Sequence, residues 1–142
     1  MKVGPNTKDS ELVNLIRKLN PDSEPGKITI ISRYGAAKVE EMLPKHIKAI
    51  QNAGLKVVFC SDPMHGNTEV TSTGIKTRHF DNILKELSLS FKIHRELGSK
   101  LGGVHFELTG EAVTGKWEPI FSDFFVCWLV GFFLKTNNIS AL

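Results

Sequence analysis

Three compact runs of β-branched and aromatic residues, interleaved with helix-length amphipathic stretches, constrain this chain more than any other feature. They are Lys27-Ile28-Thr29-Ile30-Ile31-Ser32, Lys56-Val57-Val58-Phe59-Cys60 and Gly103-Val104-His105-Phe106-Glu107-Leu108. Short apolar runs of this kind suit strands covered on both faces, as in a parallel sheet. The stretches 9–19, 36–52 and 80–97 carry apolar residues at helical spacing. Their stripes are Leu12, Ile16 and Leu19; then Val39, Met42, Leu43, Ile47 and Ile50; then Phe80, Ile83, Leu84, Leu87 and Phe91. Pro21 stops the first helix, and Gly54 and Gly98 stand where C-terminal caps belong. Pro44 lies inside the second stripe and predicts a kink or a break there. The resulting order, α-β-α-β-α-β, predicts an α/β fold with parallel strands joined by right-handed crossovers.

Length limits how far that pattern can run. The chain has 142 residues, whereas closing an eight-stranded β/α barrel takes roughly 200 or more. Its net charge of +3 comes from 18 basic and 15 acidic side chains dispersed along the chain, which gives no field suited to nucleic acid or a membrane surface. Cys60 and Cys127 have no CxxC spacing; they point to a reducing compartment and cannot make a zinc knuckle by themselves. Met1-Lys2-Val3-Gly4-Pro5 shows neither an apolar signal core nor an Arg/Ser-rich transit pattern. The stretch 115–142 differs from the rest. Its charged residues are Lys116, Glu118, Asp123 and Lys135, and its apolar run 124–134 is uninterrupted. That run falls short of the roughly 20 residues of a spanning helix. A buried element, a tail of foreign origin and a C-terminal membrane anchor are the readings it leaves open.

In β/α proteins the chemistry sits just past the carboxyl ends of the strands, and those positions are polar here. Arg33 follows the first run; its planar fork can take a phosphate or carboxylate, or make a structural salt bridge. After the second run comes Ser61-Asp62-Pro63-Met64-His65-Gly66-Asn67-Thr68, the densest polar cluster. His65 there can be a metal ligand, a proton carrier or an ordinary loop histidine. Asp62 and Asn67 are acceptors of the kind that orient a ligating imidazole. In the third run, alternation puts His105 and Glu107 on one face, and an inward-facing Glu needs a cation. His65 and Glu107 on adjacent strands make a mixed N/O pair suited to Mn, Fe, Co or Zn, with His105 either a third ligand or, in the reading preferred here, a hydrogen-bonding neighbour. Lys2 resembles the end of a further strand and is either solvated or turned to the same pocket. The basic turn 74–78 either binds an anion near a helix N-terminus or is an ordinary loop. Cys60 and Met64 are expected in the core, and His46, His79 and His94 at the surface.

Three stretches carry a family resemblance. Asp62-Pro63-Met64-His65-Gly66-Asn67-Thr68, Gly74-Ile75-Lys76-Thr77-Arg78-His79-Phe80-Asp81 and Gly102-Gly103-Val104-His105-Phe106-Glu107-Leu108-Thr109-Gly110-Glu111 resemble, in order, motifs of the class II (plant-type) 3-deoxy-D-arabino-heptulosonate 7-phosphate (DAHP) synthases. The likeness runs over 2–114. It implies a (β/α)8 TIM barrel enzyme that opens the shikimate pathway to chorismate and the aromatic amino acids. The family condenses phosphoenolpyruvate with erythrose 4-phosphate and releases phosphate, using a divalent metal, commonly Mn or Co, as Lewis acid. Carried over position by position, Lys2 of the KVGP motif and Arg33 of the ISR motif become phosphoenolpyruvate contacts. His65 of DPMHGN and Glu107 of H-x-E become metal ligands. Family members are homo-oligomeric. The compartment implied is the cytoplasm for a microbial member, or a plastid for a chain that has lost its transit peptide.

The departures from the family pattern also set expectations. The family's Cys ligand falls upstream of Met1, its Asp ligand belongs to a CDPxxN motif that nothing after Gly115 matches, and Gly115-Lys116 replaces the family's Glu-Cys. The expectation is therefore a partial barrel over 1–114, followed by a divergent tail over 115–142. Such a chain holds an incomplete metal shell and should show little or no synthase activity alone. The alternative is a non-catalytic partner that assembles with another half-barrel. A tail anchor through 124–134 is the third reading.

Overall fold

The β-branched runs pair with one another in parallel, and the amphipathic stretches cross between them on one side. The computed structural model describes residues 1–74 and 76–106; Glu107, Cys127 and the stretch 115–142 lie outside the described residues. The elements are β1 (Lys2–Val3), α1 (Asp9–Leu19), β2 (Thr29–Ser32), α2 (Val39–Asn52), β3 (Val58–Ser61), a 3-10 turn (His65–Asn67), β4 (Thr68–Val70), β5 (Lys76–Arg78), α3 (Phe80–Glu96) and β6 (Leu101–Val104). β1, β2, β3 and β6 form a four-stranded sheet in that spatial order, with every pairing parallel. The α/β expectation with crossover helices therefore stands.

The core lies between the helices and one face of this sheet. Val3, Ile30 and Phe59 meet Leu12 and Ile16 of α1, Val39, Leu43, Ile47 and Ile50 of α2, and Leu87 and Ile93 of α3. Burying a side chain of this size is worth about 1.5–3 kcal/mol. α2 packs against α1 on one side and α3 on the other. In α1, Asp9 and Glu11 stand in the first turn and Arg17 and Lys18 in the last, the distribution that the helix dipole favours.

Several expectations need correction. Leu19, assigned to the α1 stripe, is 50% exposed, because the chain leaves the layer at that last turn. α2 runs unbroken through Pro44. The proline leaves the carbonyl of Glu40 without its helical donor, but Glu40 is exposed, so water can satisfy that oxygen. α3 is turned relative to its expected stripe, and its buried face includes Glu86, Ser90 and His94. β6 starts earlier than the third apolar run because Gly102 lies against β3. A Cβ there would meet Val58 Cγ1 at 3.0 Å and Phe59 O at 3.3 Å. The basic turn 74–78 contributes β5, which pairs antiparallel with β4.

Candidate active site

The register brings four strand ends into line. Val3 pairs with Ser32, Ser32 with Ser61 and Ser61 with Val104. The ladder then extends one residue further. Arg33 N–H donates to Val3 O at 2.9 Å, Asp62 N–H to Ser32 O at 2.7 Å and His105 N–H to Ser61 O at 2.7 Å. Arg33, Asp62 and His105 thus stand side by side along the carboxyl edge of the sheet. Strand alternation gives them the same facing as Lys2, Ile31 and Cys60, opposite to the helices. The burial pattern agrees: Val3, Ile30, Ser32, Phe59 and Ser61 on the helix side are buried, while Lys2 is exposed and Ile31 and Cys60 are half-buried. Cys60 therefore sits on the face that no helix among the described residues covers, rather than in the core.

Asp62 is the hub of this edge. Its side chain is fully buried. Oδ2 accepts from Lys2 Nζ at 2.9 Å, and the same oxygen lies 2.7 Å from His65 Nδ1. Oδ1 lies 2.9 Å from that ring nitrogen and accepts the backbone N–H groups of Met64 at 3.1 Å and His65 at 3.2 Å. This is the local turn that an Asp two to three residues upstream can close, and it explains why Asp62-Pro63-Met64-His65 folds into a tight corner. Burial alone pushes the Asp62 carboxyl up, yet the hydrogen bonds from His65 and Lys2 outweigh it and hold the group below the usual carboxylate range. An ionised carboxylate only accepts, so Nδ1 of His65 carries the proton and Nε2 is the nitrogen that a cation would use. Carboxylates hold ligating imidazoles in this way.

The loops 33–38 and 62–67 touch. Gly35 has φ +83°, and a Cβ on it would lie 2.6 Å from Gly66 O; a Cβ on Gly66 would lie 2.3 Å from Gly35 N. Only bare backbone fits on either side. Asn67 bridges the two loops: Oδ1 accepts Ala36 N–H at 2.9 Å, and Nδ2 donates to Pro63 O at 2.7 Å and to Glu86 Oε2 at 2.7 Å. The Glu86 Oε1 accepts Tyr34 N–H at 2.8 Å and Gly35 N–H at 3.0 Å. Burial raises the Glu86 carboxyl, against the lowering effect of those three donors. Sequence reasoning passed over Glu86. A charged residue on a helix reads as solvated, and the one available signal was its position beside Leu87 on the buried face.

The remaining histidines divide. His79 is exposed, as expected. His46 and His94 are buried rather than at the surface. His46 Nε2 lies 2.9 Å from Thr7 O, and its Nδ1 lies 2.6 Å from Tyr34 Oη. A carbonyl only accepts, so Nε2 is a donor, and the Asp9 carboxylate lies 3.4 Å from the same nitrogen. His94 packs edge-on against Phe59 with centroids 4.9 Å apart, and burial pushes its pKa down to about 4. In the 74–78 segment, Arg78 Nε donates to Met64 O at 3.1 Å, which ties the hairpin to the histidine turn.

The structure thus brings together Lys2 and His65 through Asp62, with Arg33 exposed next along the edge and the His105 ring 6.4 Å from that of His65. Glu107 lies outside the described residues. Among the described residues no group of three or more His, Cys, Asp or Glu could hold a metal. The described residues fit one oriented imidazole of a metal shell and its supporting carboxylate. No helix among them is long and apolar enough to cross a membrane.

A parallel β/α sheet with cationic and imidazole side chains gathered at its carboxyl edge defines a β/α protein with polar groups where such folds bind ligands. The comparison with known proteins makes this specific. A sequence model of the Class-II DAHP synthetase family matches residues 1–118, and the chain belongs to that family. It is 52% identical over 116 residues to the phospho-2-dehydro-3-deoxyheptonate aldolase of Neurospora crassa, covering 80% of this chain and 24% of the relative. It is 46% identical over 114 residues to the phospho-2-dehydro-3-deoxyheptonate aldolase AroG of Mycolicibacterium smegmatis, covering 80% and 25%. It is 42% identical over 126 residues to the phospho-2-dehydro-3-deoxyheptonate aldolase of Streptomyces coelicolor, covering 87% and 28%. The chain therefore spans about a quarter of the length of the relatives it matches.

Proposed function

We propose that this chain forms part of the active-site rim of a DAHP synthase, which condenses phosphoenolpyruvate with erythrose 4-phosphate to give DAHP and phosphate. The observation that supports this reading most is the single buried carboxylate of Asp62 shared by Lys2 and His65. It sets a cationic side chain for an anionic substrate beside an imidazole aimed for a cation. Arg33, on the neighbouring strand end, presents a fork that matches a phosphate or carboxylate through two parallel bonds. Lys2 adds a second positive charge. Together they hold phosphoenolpyruvate by its two anionic groups. His65, with Asp62 on Nδ1, and Glu107 are the ligands that this chain would supply to a divalent ion such as manganese or cobalt. When bound, that ion supplies a Lewis acid that polarises the aldehyde of erythrose 4-phosphate. The gain from such a site comes from charges already in position, and the buried Asp62 turn provides that for His65.

In this reading the parallel sheet is an arc of a (β/α)8 barrel. Its uncovered face, bearing Lys2, Ile31 and Cys60, looks inward. The same uncovered face supports the second reading, a half-barrel that works by association with other strands. A homo-oligomer is proposed on family grounds, and a soluble compartment with it.

The test is a synthase assay on the purified chain with added manganous ion, alongside direct ion binding. The expected outcome is little or no turnover, with weak ion binding that His65→Ala abolishes. Turnover close to that of a full-length relative would overturn the partial-site reading. Ion binding that is indifferent to His65→Ala would overturn the metal assignment. Size-exclusion chromatography separates the second reading, since a stable monomer contradicts it.

A further inference from the structure

Glu86 is a carboxylate 1% exposed, with no lysine or arginine paired to it among the described residues. Burying an unpaired carboxylate is costly unless hydrogen bonds to it are complete. The groups facing it are N–H donors: Tyr34 and Gly35 on one oxygen, Asn67 on the other. Two belong to the loop that begins at Arg33, and the third belongs to the turn that begins at His65. The Asn67 amide then closes the net through Ala36 N–H and Pro63 O. Its orientation is dictated: Oδ1 must meet Ala36 N–H, so Nδ2 must face Glu86.

We propose that Glu86 is a positioning residue, whose buried carboxylate, together with the Asn67 amide, fixes the Arg33 loop against the His65 turn. The inference rests on the proposed function for what the two loops carry, while the bracing itself does not depend on it. α3 provides a rigid base for the brace. A carboxylate suits the place because every group around it donates. A glutamine of the same shape must point its own NH2 at a donor: at Asn67 if its oxygen serves Tyr34 and Gly35, or at those two amides if it is flipped.

Amide hydrogen exchange on the full chain, wild type against Glu86→Gln, reads the brace directly. The expected result is exchange roughly tenfold or more faster at Tyr34, Gly35, Ala36 and Asn67 than in wild type, with the amides of α1 and α2 little changed. The midpoint for manganous ion, followed by the resonance signal of the free ion, should rise by roughly tenfold, as for other groups that support a ligand. Asn67→Asp alone, which sets an acceptor against both the Glu86 carboxylate and Pro63 O, should speed the same loop amides, which a role confined to helix packing would not do. Ser90→Ala, on the same face of α3, should leave them unchanged. The proposal is overturned if loop amides in folded Glu86→Gln exchange as in wild type, or if all amides accelerate equally. If Glu86→Gln does not fold, Glu86→Asp, which keeps the charge but falls short of the three donors, takes its place, and loop amides that exchange as in wild type overturn the proposal as well. A wild-type chain that binds no manganous ion, together with loop-specific acceleration in Glu86→Gln, refutes the metal assignment and supports the brace.

Discussion

The two sides of this sheet are built by different physics. On the helix side, Val3, Ile30, Phe59, Leu43 and Ile47 are held by area removed from water, a force without direction. At the carboxyl edge, Asp62, Asn67 and Glu86 are held by donors and acceptors that must match one by one. The first arrangement tolerates changes of shape at a graded cost. The second tolerates changes of size poorly and changes of polarity hardly at all, because an unmatched buried group loses its full hydration. Stability therefore resides mainly in the layer between helices and sheet, and geometry for chemistry mainly at the edge.

The sharpest separation of the two comes from the apolar side. Leu43 is fully buried, and Leu43→Ala should lower unfolding free energy by about 2–5 kcal/mol. Urea melts followed by circular dichroism measure this, and the manganous-ion midpoint of the fraction still folded should not move. A shift in that midpoint would mean that the layer and the edge are not separable. His94 tests a polar atom inside the apolar layer. Its folded pKa, about 4, lies below the ordinary histidine value of 6.5, so the unfolded chain binds the extra proton. Stability is then complete above about pH 6.5 and falls as pH drops toward 4. The loss amounts to about 3 kcal/mol at roughly 1.4 kcal/mol per pH unit. Urea midpoints between pH 7 and 4 should show the slope, and His94→Phe should flatten it. Asp62→Asn is the converse of the leucine change. An amide there can keep accepting from Met64 and His65 N–H but must aim its NH2 at Lys2 and His65 Nδ1. Ion affinity should fall by about 10–100-fold, read by titration with manganous ion. A loss confined to the melting temperature would break the comparison.

How much of this the sequence makes legible follows the same division. The strands and helices come from apolar periodicity, and Arg33, His65 and Asp62 from their positions after the strands. Lys2 is ambiguous by spacing alone and is singled out by the family resemblance. Glu86, His46 and His94 are illegible for a common reason. Periodicity counts apolar residues, so a polar side chain at a buried helical position leaves a gap in the stripe instead of a mark. Only the partners show why such a residue is inside. Tyr34 and Thr7 account for His46. Two loop amides and Asn67 account for Glu86. The β4–β5 hairpin escapes notice because its residues are mostly exposed and polar, and its pairing is set by anchors such as Arg78 on Met64 O.

The backbone contact at Gly35 and Gly66 carries a consequence for anyone recombining scaffolds of this kind. The two corners behave as one machined joint, so a graft that imports either corner alone will collide with its unmatched neighbour. They must be transplanted as a paired cassette, and libraries that randomise one of these two positions will return mostly misassembled clones.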